Sequence, residues 1–105
     1  MELEAHDNEK NAKKIAKLIN AFLDERGQND TGNKMYSPKV WEERGEDYGT
    51  NSLLIITHDG GNHAPFFSHD YSADAAMEDL RSYLEDRGVY VEQCTSWYSA
   101  IYPCG

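Results

Sequence analysis

Four consecutive apolar residues, Leu53 to Ile56, lie near the middle of the chain. A strand with one side in solvent alternates apolar and polar residues, so this unbroken run predicts a strand that is covered on both faces and lies inside a sheet. Phe66 and Phe67 form a second apolar pair, and the residues between, 59–63, are polar or glycine. Together the two apolar segments predict a β-hairpin.

Two other stretches have apolar residues three and four positions apart, which is the spacing of a helix with one buried side. The first stretch covers residues 9–26 and the second residues 72–87. Gly27 and Gly88 follow them and can adopt the left-handed conformation that ends a helix. The predicted buried sides consist of Ala12, Ile15, Ala16, Ile19, Phe22 and Leu23 in the first helix, and of Ala73, Ala76, Met77, Leu80, Tyr83 and Leu84 in the second.

The remaining segments supply further strands. Residues 35–44 are expected to form a first strand that Pro38 interrupts, residues 89–94 another, and residues 97–102 either its bent continuation or the second half of a hairpin. Residues 1–8 are expected to be frayed. The order α-β-β-β-α-β predicts a single α+β domain over residues 1–105, with two helices packed on one face of a mostly antiparallel sheet of three to five strands.

Charge narrows the range of partners. The 105 residues include 19 acidic and 10 basic side chains, for a formal net charge of −9. Because such a field repels phosphate backbones, direct binding of nucleic acid is not favoured. The five basic and seven acidic residues of the first 30, against five and twelve in the rest, put most of the negative charge in the C-terminal two-thirds.

Targeting signals and cysteine chemistry give an expectation about location. No apolar run approaches the roughly 20 residues that span a bilayer, and the N-terminus lacks the pattern of a signal peptide. We therefore expect a cytoplasmic protein that does not enter a membrane. Cys94 and Cys104 are then expected to be free thiols, since a reducing compartment disfavours disulfides.

Histidines and carboxylates form one candidate metal-binding or catalytic site. His58 and His69 are each followed by aspartate, and His63 lies between them. In the predicted hairpin, His58 and His69 would be about 13 Å apart along the ladder, too far to share a metal ion. His58, Asp59 and His63 would stay close, but their spacing matches no structural zinc pattern. We expect no metal and no cofactor, and keep as an alternative a small metal-dependent or Cys/His enzyme that uses these three residues, with Cys94 as a candidate nucleophile.

A lysine strip on the first helix gives a second alternative. Four lysines fall on or near the solvent side of that helix, namely Lys10, Lys13, Lys14 and Lys17. A solvated helix face is the ordinary interpretation of such spacing. The alternative is a weak nucleic-acid binder that contacts phosphates through this strip.

The preferred function rests on acidic and aromatic side chains of the second helix and the C-terminal strands. These candidate partner-binding residues are Glu78, Asp79, Glu85, Asp86, Tyr90, Glu92, Tyr98 and Tyr102. Exposed rings beside carboxylates suit an interface with a basic protein, whereas rings that complete the core would not be available. The sequence therefore favours a small non-enzymatic interaction protein, in a specific form an inhibitor or nucleic-acid mimic of the phage or mobile-element type. The same surface could instead pair two copies of the chain.

Overall fold

The computed structural model describes residues 1–29 and 32–104. Within these ranges the chain forms one five-stranded sheet with four α-helices. The strands are β1 Glu2–Glu4, β2 Lys34–Tyr36, β3 Leu54–Thr57, β4 Val89–Gln93 and β5 Tyr98–Pro103. The helices are α1 Lys10–Glu25, α2 Pro38–Glu43, α3 Ala64–Phe67 and α4 Asp74–Glu85, and a 3₁₀ turn covers His69–Tyr71.

The sheet confirms the predicted α+β class. Its strand order is β1-β2-β3-β5-β4, and β1 with β2 is the parallel pair while the other three pairs are antiparallel. The unbroken apolar run is an interior strand as predicted, because β3 lies between β2 and β5 and all four of its residues are buried.

The main core lies on the face of the sheet that α1 and α4 cover. Leu54 and Ile56 point to this face, where they join Ile19 and Phe22 of α1 and Leu80 of α4. Full burial of such a side chain contributes about 1.5–3 kcal/mol each, so this layer supplies most of the hydrophobic stabilisation. The two helices predicted from their apolar spacing are the helices that cover this face.

A smaller core covers the opposite face. Ile55 points there and packs with Trp41 of α2, which is fully buried. Residues 35–44 were predicted as a strand, but only the first part is strand and α2 follows. The reason is local: Ser37 Oγ accepts a hydrogen bond from Val40 N at 3.1 Å, and Pro38 occupies the first turn, where a missing N–H costs nothing.

The predicted hairpin between Leu53–Ile56 and Phe66–Phe67 is wrong. The chain leaves β3 and enters α3, which contains both phenylalanines, and β5 takes the place beside β3. Pro65 explains the difference, since proline cannot donate to a strand ladder and is accepted in the first turn of a helix.

The N-terminal segment also differs from expectation. Residues 1–8 were expected to be frayed, yet Glu2–Glu4 form β1, a parallel edge strand against β2. The Met1 amino group donates to Asn20 Oδ1 at 2.7 Å and to Asn29 Oδ1 at 2.9 Å. These hydrogen bonds fix the start of the chain against the end of α1.

The helix ends and the C-terminal strands follow the sequence pattern. Gly27 ends α1 with φ +65° and Gly88 ends α4 with φ +82°. Gln28 N donates to Leu23 O at 2.9 Å, which completes the glycine-dependent helix end. Of the two alternatives for the tail, the hairpin is the observed one, formed by β4 and β5.

Candidate interaction surface

His58 is a core residue. It follows β3, is 1% exposed, and its Nε2 lies 3.0 Å from Ser99 Oγ. Its ring stacks on Phe67 with 5.6 Å between centroids and 9° between planes. Burial, with a smaller contribution from His63, lowers the pKa of His58 from 6.5 to about 4. The ring is therefore uncharged at neutral pH.

His63 packs in the same place. Its Nε2 donates to the carbonyl oxygen of Thr57 at 2.9 Å, and its ring meets Phe67 edge-on at 5.7 Å. The adjacent Gly61 leaves room for this ring, because a Cβ there would lie 2.5 Å from His63 Cε1. Both histidines thus hold the segment after β3 against α3.

The described residues do not favour the enzyme alternative. Among residues 1–29 and 32–104, no three His, Cys, Asp or Glu side chains are placed to hold one metal ion. Asp59 is exposed while His58 and His63 are buried. Cys94 and Cys104 are both free thiols, and burial raises the pKa of Cys94, which disfavours the thiolate.

Asp79 does not face solvent as an unpaired charge. Arg26 donates to it from Nε at 2.6 Å and from Nη2 at 2.9 Å. This hydrogen bond to the guanidinium lowers the pKa of Asp79. Asp79 therefore connects α4 to the end of α1, whereas the neighbouring Glu78 lies beside Val91 of β4, so Asp79 drops out of the predicted partner-binding set.

Tyr98 is the second correction to that set. It is 2% exposed and packs against Trp41 with 5.0 Å between ring centroids. A residue of this core cannot reach a partner without unfolding of its surroundings. The interpretation that some of the rings complete the core applies to Tyr98, Tyr36 and Trp41.

Tyr90 and Tyr102 behave differently. They are direct cross-strand neighbours, stacked with 5.6 Å between centroids, and Tyr90 is 37% exposed. Glu92 is exposed two residues further along the same face of β4. This corner of the sheet combines a ring pair with a carboxylate, and its role in binding a partner stays a prediction.

Further carboxylates lie on α4 and just after its end. Glu78 accepts a hydrogen bond from Arg81, which lowers the pKa of Glu78. Asp74, Glu85 and Asp86 are exposed and form no ion pair with any residue that the structure describes. We call the following set the α4–β4 surface: Asp74, Glu78, Glu85, Asp86, Tyr90, Glu92 and Tyr102.

Sequence reasoning missed the space between α4 and β4. Two adjoining hollows of about 360 and 370 Å³ lie there, and both are lined by His69, Met77 and Val91. Phe66 lines one hollow and Phe67 the other. The assignment of the two phenylalanines to a strand hid this site, whereas Pro65 was the signal that could have placed them in a helix.

The lysine strip lies in solvent. Lys10, Lys13, Lys14 and Lys17 are all exposed on α1, and Lys13 Nζ donates to the backbone oxygen of Asp7 at 3.1 Å. The strip therefore has the accessibility that a phosphate contact needs. Nucleic-acid binding through it stays a prediction.

Comparison with known proteins finds no relative of this chain. No protein-family model matches the chain, and neither the curated proteins nor the solved structures contain a significant match to it. In the described part of the chain, no helix has the length and apolarity needed to cross a membrane. The function is therefore argued from the geometry of the α4–β4 surface.

Proposed function

We propose that this chain is a non-enzymatic interaction protein that docks its α4–β4 surface on a basic protein. The observation that supports this most directly is that four exposed carboxylates of this surface, Asp74, Glu85, Asp86 and Glu92, form no ion pair with any residue that the structure describes. Arg26 is held by Asp79 and Lys34 lies 3.1 Å from Glu4, at the far side of the sheet. Beside β4, by contrast, Arg81 is the single cation in contact with a carboxylate among the described residues. The five carboxylates of the α4–β4 surface outnumber the two arginines on α4 and in the turn after it, Arg81 and Arg87, and leave an excess of negative charge.

The physical consequence is steering of a cationic partner. Carboxylates in solvent attract opposite charge over about one Debye length, roughly 8–10 Å at ordinary salt, and accelerate association. The Tyr90–Tyr102 pair supplies apolar area with a polar rim, which is the composition of interface hot spots. In its specific form, the protein inhibits a nucleic-acid-binding partner by occupying that partner's basic site.

The test uses two charge-matched variants as baits in lysate of the source cell. The surface variant combines Asp74→Asn, Glu78→Gln, Glu85→Gln and Glu92→Gln. The control variant combines Asp7→Asn, Glu25→Gln, Glu42→Gln and Asp47→Asn, which removes as many charges outside the α4–β4 surface. Captured proteins are identified and quantified at about 50 and 300 mM salt.

We expect the wild type and the control variant to retain the same basic protein at low salt and to lose it at high salt, and the surface variant to lose it at both. Equal loss in the two variants would mean that net charge, and not this surface, attracts the partner. Retention by the surface variant would refute the proposal. Far-UV circular dichroism of each bait verifies that it is folded.

A further inference from the structure

Among residues 1–29 and 32–104, β4 is an edge strand of the sheet. It ends the strand order, with β5 as its neighbour on one side. Cys94 N donates to Tyr98 O at 3.1 Å just beyond the strand end, and antiparallel pairs alternate between bonded and non-bonded residues. The backbone N–H and C=O groups that point away from β5 are therefore those of Val89, Val91 and Gln93.

The two hollows lie directly beside this edge, on the face that α4 covers. Met77 and Val91 give both hollows an apolar lining, and one hollow is also lined by Phe66 and by the charged side chains of Asp74, Glu78 and Arg81. On the other face of β4, Tyr90 and Glu92 border the same edge. An added strand would thus meet apolar space on one face and the Tyr90 ring with the Glu92 carboxylate on the other.

The geometry points to a basic, extended segment of a partner protein that adds to β4 as a sixth strand. Its backbone bonds to the outward groups of Val89, Val91 and Gln93. Because side chains of a strand alternate between faces, apolar residues enter the hollows while lysines or arginines lie beside Tyr90 and Glu92. This inference names the binding mode of the proposed function and rests on it.

Charge argues for this occupant over a second copy. Two copies paired through β4 would be related by a two-fold axis perpendicular to the sheet, which brings their α4 helices side by side. Asp74, Glu78 and Glu85 of one copy would then face the same residues of the other, and each chain has a formal net charge of −9. A strand with lysines or arginines on one face meets the complementary charge of Glu92 there.

The opposite edge of the sheet serves as an internal comparison. β1 has three residues, and its Glu4 is paired with Lys34 of the neighbouring strand at 3.1 Å. Short edge strands with charged side chains resist addition of a further strand. Strand addition is therefore assigned to β4.

The test measures binding of a short synthetic peptide of alternating lysine and valine, capped at both ends, to the full chain. Control peptides replace lysine by glutamate, or keep the composition but group the lysines together. Titration followed by NMR gives affinity and site, and amide exchange reports hydrogen bonding at Val89, Val91 and Gln93. The variants are Val91→Pro, which removes an outward N–H, and Val91→Ala, which keeps it.

We expect the alternating basic peptide to bind, with exchange of the Val91 amide slowed by about tenfold or more at saturation. Val91→Pro should weaken binding by at least about tenfold, and Val91→Ala by less than about threefold. Both control peptides should bind at least about tenfold more weakly. Circular dichroism distinguishes loss of the edge from loss of the fold.

Other outcomes overturn one claim and leave the other testable. Salt-dependent binding without slower exchange at Val89, Val91 and Gln93 would refute strand addition while supporting the acidic surface. Slower exchange that is insensitive to salt and to Glu92→Gln would support strand addition and refute the role of the acidic surface. Absence of peptide binding refutes the inference, whereas the bait experiment still decides the function. A dimer that Val91→Pro dissociates would make a second copy the occupant and refute the basic segment.

Discussion

Acid should destabilise this protein through His58. Burial keeps the native ring uncharged down to a pKa of about 4, whereas the unfolded chain takes up a proton near pH 6.5. Between these two values the unfolded state binds more protons than the native state, so stability rises with pH and is lost as pH falls. The full effect of His58 is about 3 kcal/mol, of which about 2 kcal/mol falls between pH 7 and pH 5.

The perturbation is His58→Gln, which can still reach Ser99 Oγ but does not titrate. At pH 7 the variant loses the stack on Phe67 and should be less stable than wild type by about 1 kcal/mol. Toward pH 5 the wild type should lose about 2 kcal/mol more than the variant, so the difference between them disappears or reverses.

Urea unfolding at several pH values between 7 and 5 measures this, with His69→Gln as the control because His69 is exposed. The control should follow the wild-type curve. Parallel curves for wild type and His58→Gln would refute the reasoning, since they would mean that the buried ring accepts a proton as readily as the unfolded chain does. Staying above pH 5 keeps the paired carboxylates, whose pKa values are lowered, out of the comparison.

Two further predictions concern packing and surface charge. Gly49 has φ +83° and a Cβ there would lie 2.6 Å from Ile55 Cδ1, so Gly49→Ala should lower the free energy of unfolding by about 2–3 kcal/mol. Gly45→Ala, at φ +86° in open space, should lower it by about 1 kcal/mol. Equal shifts of the two variants in thermal melts would contradict the packing argument. Asp79→Asn breaks a partly exposed pair with Arg26 and should cost less than about 1 kcal/mol in urea unfolding. A cost above about 2 kcal/mol would mean that this pair organises the contact between α1 and α4.

Local patterns predicted the elements that local chemistry determines. The run Leu53 to Ile56 requires cover on both faces wherever its partners come from, so its interior position could be inferred. The ends of α1 and α4 could also be inferred, because Gly27 and Gly88 adopt positive φ at little cost. Such features depend on residues within a few positions of each other.

Strand partners could not be predicted in this way. Ile55 pairs with Ala100 across 45 positions, and Leu3 pairs with Met35 across 32. An apolar pair such as Phe66–Phe67 fits a strand and a short helix turn equally well until Pro65 is given weight. The chain's choice of β5 as the partner of β3 is decided by packing that no single window contains.

The tyrosines illustrate the same limit at the candidate surface. Tyr90, Tyr98 and Tyr102 share one face of the β4–β5 hairpin. The alternation of side chains along the strands therefore predicts the same exposure for all three rings. Tyr98 is buried because Trp41 of α2 packs on its ring, whereas Tyr90 lies on the edge strand β4, away from α2. Which ring is available to a partner is thus decided by the position of a short helix, whose first turn is capped by Ser37, more than fifty residues away in the sequence.

The two edges of the sheet show how the fold concentrates its charge. At β1 the carboxylates of Glu2 and Glu4 lie 3.8 and 3.1 Å from Lys34, so the edge is short and partly neutralised. At α1, Arg26 is taken up by Asp79. Each of these contacts places a cation away from β4. Beside β4, Glu78 is paired with Arg81, whereas Asp74 and Glu92 form no ion pair with any residue that the structure describes. Binding energy from backbone bonds and steering by charge therefore act at the same place, which is the condition for fast and oriented docking of a basic strand.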